Sequence, residues 1–182
     1  MSMKAHGFTL LETLIALAVG SVLMLGATRF LPLLQGQNLR LMMQVQLNEE
    51  LLQIVQTLEK AIRRAGYCHG DCHGPAFSLQ SAGSCLLLRW DENSNGKWEA
   101  AGRDDSELYG YRLRAGSLEM QRGVSSCEGG GWERLNDPRL IGIRDFKVAR
   151  AERQVKITLG GYAKRVPTVT QRVEHWLTAE NL

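Results

Sequence analysis

This 182-residue chain has no surplus of one charge: 22 Lys and Arg stand against 19 Asp and Glu, a formal net charge of +3. So small an excess gives no ground for a nucleic-acid-binding surface. Motifs of catalysis are missing too, with no Gly-x-Ser-x-Gly, no His-Glu-x-x-His and no phosphate-binding loop along the sequence. There is no internal repeat and no low-complexity linker. A mean hydropathy of −0.20 excludes a polytopic membrane protein. Recurrent tracts of Leu, Ile, Val and Phe exclude a disordered one. What remains is the size of one ordinary domain plus one appendage.

The appendage is legible. Phe8 to Ala27 reads FTLLETLIALAVGSVLMLGA, interrupted only by Thr9, Glu12, Thr13 and Ser21. As an α-helix this run is ~30 Å long, the thickness of a bilayer's hydrocarbon core. Lys4 and His6 precede it and Arg29 follows. The positive leader keeps the amino terminus cytoplasmic and sends the rest of the chain outward, a bias that Arg29 weakens. A cleaved secretory signal would have a shorter apolar centre followed by a small-x-small site. A plain signal anchor fits the length but leaves Glu12 unexplained. An acid one turn into an apolar helix costs about 2–3 kcal/mol by insertion scales, less near the interface, and such a residue usually has a partner.

Gly7-Phe8-Thr9-Leu10-Leu11-Glu12, with Lys4 ahead and an unbroken apolar helix behind, resembles the amino-terminal signal of type IV pilins and type II secretion pseudopilins. The resemblance implies cleavage between Gly7 and Phe8 by prepilin peptidase, N-methylation of Phe8, and an assembly role for Glu12. The physics agrees. Cleavage creates a cationic amine, and methylation keeps its charge. Glu12 lies about 6 Å further along the axis, so a neighbouring helix staggered by that distance can set its amine against this carboxylate. One contact then cancels two charges that are costly in lipid and fixes the register of packed helices.

Helical periodicity continues. Leu47, Leu51, Ile54, Val55, Leu58, Ile62 and Ala65 fall on one stripe, with Glu49, Glu50, Gln53, Gln56, Glu59 and Lys60 elsewhere. Pro32 and Gly36 are the expected kinks or melting points, and Gly66 the helix end, with Arg63 and Arg64 in the last turn. Beyond Gly66 the texture becomes short or alternating strand runs: Cys85–Trp90, Leu108–Arg114, Ser117–Arg122 after an Ala115-Gly116 turn, Ile141–Ala149, Gln154–Leu159 and Arg172–Leu177. The order predicts an α+β fold, a long amino-terminal helix, transmembrane in its first half, packed on an antiparallel β-sheet head. The expected divisions are a leader over 1–7, a membrane half over 8–30, an exported half over 31–66 and a head over 67–182. Arg63-Arg64-Ala65-Gly66-Tyr67 followed by a cysteine is similar to the larger minor pilins and J-type pseudopilins.

Cys68, Cys72, Cys85 and Cys127 all lie on the exported side, where an even number of cysteines favours disulfides; four allow three pairings, and sequence does not choose. Cys68-His69-Gly70-Asp71-Cys72-His73 is one residue too long for a c-type haem site. It has zinc-ligand residue types, though exported thiols tend to be oxidised. Asp91-Glu92-Asn93-Ser94-Asn95-Gly96 matches the first half of a calcium loop, with candidate ligands Asp91, Asn93 and Asn95. Its twelfth position is Gly102, so Glu99, Asp104 or Asp105 would have to substitute. The alternative is a plain Asn-Gly turn. No cofactor is otherwise expected. Gly129-Gly130-Gly131 reads as a flexible loop and His175 as a lone strand histidine. Arg112, Arg114, Arg144, Arg150 and Arg153 read as a solvated face rather than a DNA-binding one.

The resulting expectation is a non-enzymatic minor type IV pilin that primes or caps a pilus-like fibre from the bacterial inner membrane. Its implied partners are other minor pilins, the major pilin, prepilin peptidase, the assembly platform and the bilayer. Two alternatives stand beside it: a J-type pseudopilin of a type II secretion system, and a signal-anchored periplasmic metal-binding protein.

Overall fold

A computed structural model describes residues 9–182 of the chain. Helix α1 spans Leu10–Arg64. It runs without a break through Pro32 and Gly36, so the expected melting between its halves does not occur. Proline removes one N–H donor and crowds one carbonyl, a local defect in a helix of 55 residues. The chain divides into two compact units at Met42/Met43.

In the second unit, α1 supplies Met43, Leu47, Leu51, Ile54, Val55, Leu58, Ala61 and Ile62 to the core, each nearly or fully buried. This is the stripe read from the sequence, extended by Met43 and Ala61. Each of these side chains other than Ala61 stabilises the fold by about 1.5–3 kcal/mol on leaving water, before entropy is counted. At the helix end Gly66 takes φ +88°, a left-handed conformation that glycine adopts without steric cost. Its N–H goes to the Arg89 carbonyl at 2.9 Å, and the Asn181 amide caps the Arg63 carbonyl at 3.1 Å.

Two antiparallel sheets complete the unit. The first has the order β1 (Phe77–Gln80), β2 (Cys85–Arg89), β3 (Leu108–Arg114), β4 (Ser117–Arg122), β5 (Glu133–Arg134). The second is β6 (Ile141–Ala151), β7 (Gln154–Ala163), β8 (Thr170–Thr178). Ala115 and Gly116 both have positive φ, as the tight β3–β4 hairpin requires. Leu86, Leu88, Tyr109, Tyr111 and Leu118 join the core from the first sheet; Ile143, Phe146, Val148, Ile157 and Leu159 join it from the second.

Two short strands, β1 and β5, lacked a sequence signal. β7 also runs past its expected end, through Gly160-Gly161 to Ala163. Glycine usually weakens a strand, but here it makes room: a Cβ on Gly161 would crowd the Gly142 carbonyl at 3.0 Å and reach Leu51 and Leu47 of α1 at 3.3 and 3.4 Å. Asn136, 3% exposed, joins the two sheets. Its Oδ1 accepts the Leu118 N–H and its Nδ2 donates to the Ile141 carbonyl.

Candidate functional site

The amino-terminal part of α1 carries the first set of functional residues. Gly7 and Phe8 lie outside the described residues. Thr9 caps the helix, with its hydroxyl and its carbonyl both accepting the Glu12 N–H, at 3.3 and 3.1 Å. Thr9-x-x-Glu12 is also the capping-box spacing, which places the acid beside the positive end of the helix dipole. On either side of it Leu10, Leu11, Leu14, Ile15, Leu17, Val22, Leu23, Met24 and Leu25 are all exposed. The helix is long and apolar enough to cross a membrane by length and composition.

The polar residues of this stretch divide into two kinds. The hydroxyls of Thr13, Ser21 and Thr28 donate to the carbonyls of Leu10, Ala18 and Leu25 at 2.8–3.0 Å, which satisfies them inside their own helix. Glu12 cannot use those carbonyls, because an ionised carboxylate only accepts. Its charge needs a donor.

The head is organised around its cysteines. Cys68 pairs with Cys72 and Cys85 with Cys127. Both sulfurs of the Cys68-His69-Gly70-Asp71-Cys72-His73 segment are therefore in a disulfide and are not zinc ligands. The segment rests on the Asp91 loop: Asp91, 1% exposed, accepts N–H groups from His69, Asn95 and Gly96 at 2.9–3.0 Å. These bonds hold its carboxyl below the usual range against the opposing effect of desolvation. Asn93 Oδ1 accepts the Asn95 N–H and Asn95 Oδ1 the Lys97 N–H, at 2.9 and 3.0 Å. All three candidate calcium ligands thus sit in one tight turn, and each side chain also accepts backbone N–H groups.

The second disulfide lies on the outer face of the first sheet. Cys85, Arg112 and Glu119 are cross-strand neighbours there. Arg112, read from sequence as solvated, is buried: it bonds Glu119 at 2.9 Å and stacks on Trp132 at 4.1 Å. It also donates to the carbonyls of Cys127 and Gly129, and Arg114 bonds the same Gly129 oxygen. The glycine-rich loop expected to be flexible is tied down by these arginines. Sequence reasoning missed the network because alternation placed Arg112 on a face that is covered only once the loop from Cys127 to Trp132 folds over it.

His175 is not alone either. It shares the helix-facing side of the second sheet with its neighbour Ile157, and its Nε2 lies 2.8 Å from Glu59 Oε2, though out of line for a hydrogen bond. Glu59 is held below the usual carboxylate range, first by the Arg63 hydrogen bond and further by His175, with burial opposing. Glu50 anchors the other end of the stripe by accepting the Asp137 N–H at 2.7 Å. Burial pushes its carboxyl up, and that bond partly offsets the shift.

A long apolar helix on an antiparallel β head, with one acid in the helix's first turn, defines a membrane-anchored, type IV pilin-like structural protein. Residues 2–28 match the prokaryotic N-terminal methylation motif, and residues 40–179 match the family described as prepilin peptidase-dependent protein B. The chain belongs to that family. It is 44% identical over 152 residues to prepilin peptidase-dependent protein B of Escherichia coli strain K12, an alignment covering 84% of this chain and 81% of that protein. No solved structure matches it.

Proposed function

We propose that the chain is a minor pilin, a structural subunit that primes or caps assembly of a type IV pilus-like fibre from the inner membrane. In this reading prepilin peptidase cleaves between Gly7 and Phe8 and Phe8 is N-methylated. The amino terminus starts in the cytoplasm and the head is exported. The partners are other minor pilins, the major pilin and the assembly platform. Glu12 accepts the methylated amine of a neighbouring subunit, which sets the axial stagger as helices pass from lipid into the fibre.

The observation that carries the proposal is the contrast within one helix: its hydroxyls are satisfied by their own carbonyls, while the carboxylate of Glu12 requires a donor from elsewhere. Two measurements test it. Mass analysis of the membrane-extracted chain should find N-methylated Phe8 as the first residue, and an intact leader rejects the processing step. Glu12→Ala should insert and be cleaved as the parent is, yet enter fibres poorly, because a neighbour's amine would be buried unpaired at about 3–5 kcal/mol. Incorporation at the parental level would remove Glu12 from assembly.

A further inference from the structure

Next to the Asp91 turn, the structure brings together two carboxylates that the turn itself does not explain. Glu107, 1% exposed, accepts the N–H groups of Glu92 and Asn93 through Oε1, at 2.7 and 3.2 Å. Glu99 accepts the Asn95 side-chain amide through Oε1 at 2.7 Å. The remaining oxygens, Glu99 Oε2 and Glu107 Oε2, are both buried and have no donor. The Glu107 N–H also donates to the Glu99 carbonyl at 3.4 Å, which sets the two residues side by side. Two unpartnered carboxylate oxygens buried at one turn repel each other unless a positive species, a proton or a metal ion, lies between them.

Two nearby guanidinium groups are already engaged, and Lys97 of the same loop is exposed. Arg103 makes two bonds to Asp105 at 2.8 Å, and Arg122 pairs with Glu92 at 3.1 Å. The oxygens beside the pair suit a hard cation. Asn93 Oδ1 has accepted one N–H, and an amide oxygen has two lone pairs.

We propose that Glu99 and Glu107 hold a divalent cation, Ca²⁺, with the Asn93 amide oxygen as a further ligand, and that this ion locks the segment from Asp91 to Glu107 onto the head. A hard ion bound by carboxylate and amide oxygens is the chemistry of a calcium loop. Glu107 supplies from strand-side sequence what the twelfth loop position, Gly102, does not. Affinity in the range of extracellular modules, roughly 10⁻⁴–10⁻³ M, is expected for so few charged ligands.

The test uses the full-length chain, stripped of metal, in detergent micelles. Tb³⁺ should bind at one saturable site with emission sensitised by the neighbouring Trp98, and Ca²⁺ should displace it and raise the melting temperature. Glu99→Gln and Glu107→Gln should each weaken binding by at least about tenfold. Circular dichroism of both variants checks that the head still folds, and Glu99→Gln, at the more accessible position, keeps the test valid if Glu107→Gln does not. Three results overturn the proposal: no Ca²⁺-displaceable Tb³⁺ emission, unchanged affinity in Glu99→Gln, or stabilisation of the parent by mild acid with no response to Ca²⁺. The last would mean that the two carboxyls share a proton instead.

Discussion

Removing the two disulfides separately should have unequal effects, and the inequality follows from chain length. The Cys85–Cys127 link closes a loop of 42 residues, and Cys68–Cys72 one of only four. In the chain-entropy treatment, the longer link takes about 13 cal/mol/K from the unfolded state, about 4 kcal/mol at room temperature; the shorter is worth about 2 kcal/mol. The native state should survive loss of the longer link, because Arg112 independently holds the loop through the Cys127 and Gly129 carbonyls and the Trp132 ring. The loss should therefore appear in the unfolding equilibrium rather than as a disordered loop. Urea unfolding of full-length Cys85→Ala/Cys127→Ala and Cys68→Ala/Cys72→Ala in micelles, followed by tryptophan emission, measures both costs. If the short link proves as costly as the long one, the unfolded-state argument fails and local packing around Asp91 governs instead.

Arg112→Met should destabilise the head by about 3–5 kcal/mol, since it leaves the buried Glu119 carboxylate uncompensated. The double variant Arg112→Met/Glu119→Leu should recover much of that loss, and a double-mutant cycle of denaturant midpoints reads the coupling. Glu59 governs an acid limb. Its folded carboxyl is held low, chiefly by Arg63, so its contribution is complete above the ordinary carboxylate range and disappears as pH falls through the depressed value. Glu59→Gln should flatten the stability profile in that window, and an unchanged slope would show that the Arg63 and His175 contacts do not stabilise the fold.

The reasons for success and failure in reading the sequence are physical. The stripe from Leu47 to Ala65 was visible because a helix repeats its inner face every three or four residues, so local spacing is enough. The β3–β4 hairpin was visible because Ala115-Gly116 joins two alternating runs. Gly160-Gly161 was misleading: strand propensity treats glycine as a break, whereas Gly161 sits where the Gly142 carbonyl and α1 leave little room for a Cβ, and Gly160 lies against the Asp145 side chain. Arg112 and His175 were misjudged, and Glu107 drew no notice, for a related reason. Whether a polar side chain is solvated or buried depends on what covers it, and the covering segments lie 15 or more residues away along the chain.

Sequence alone therefore determined the features that depend on local order: an apolar helix with one acid at its start, the α+β succession, and the stripe that meets the sheets. Tertiary structure decided what depends on distant segments meeting. It selected one cysteine pairing from three, turned a presumed solvated arginine into a buried clamp, and laid the Cys68–Cys72 segment on the Asp91 turn. Periodicity records which face a residue occupies, and only the folded chain determines what lies on the other side of that face.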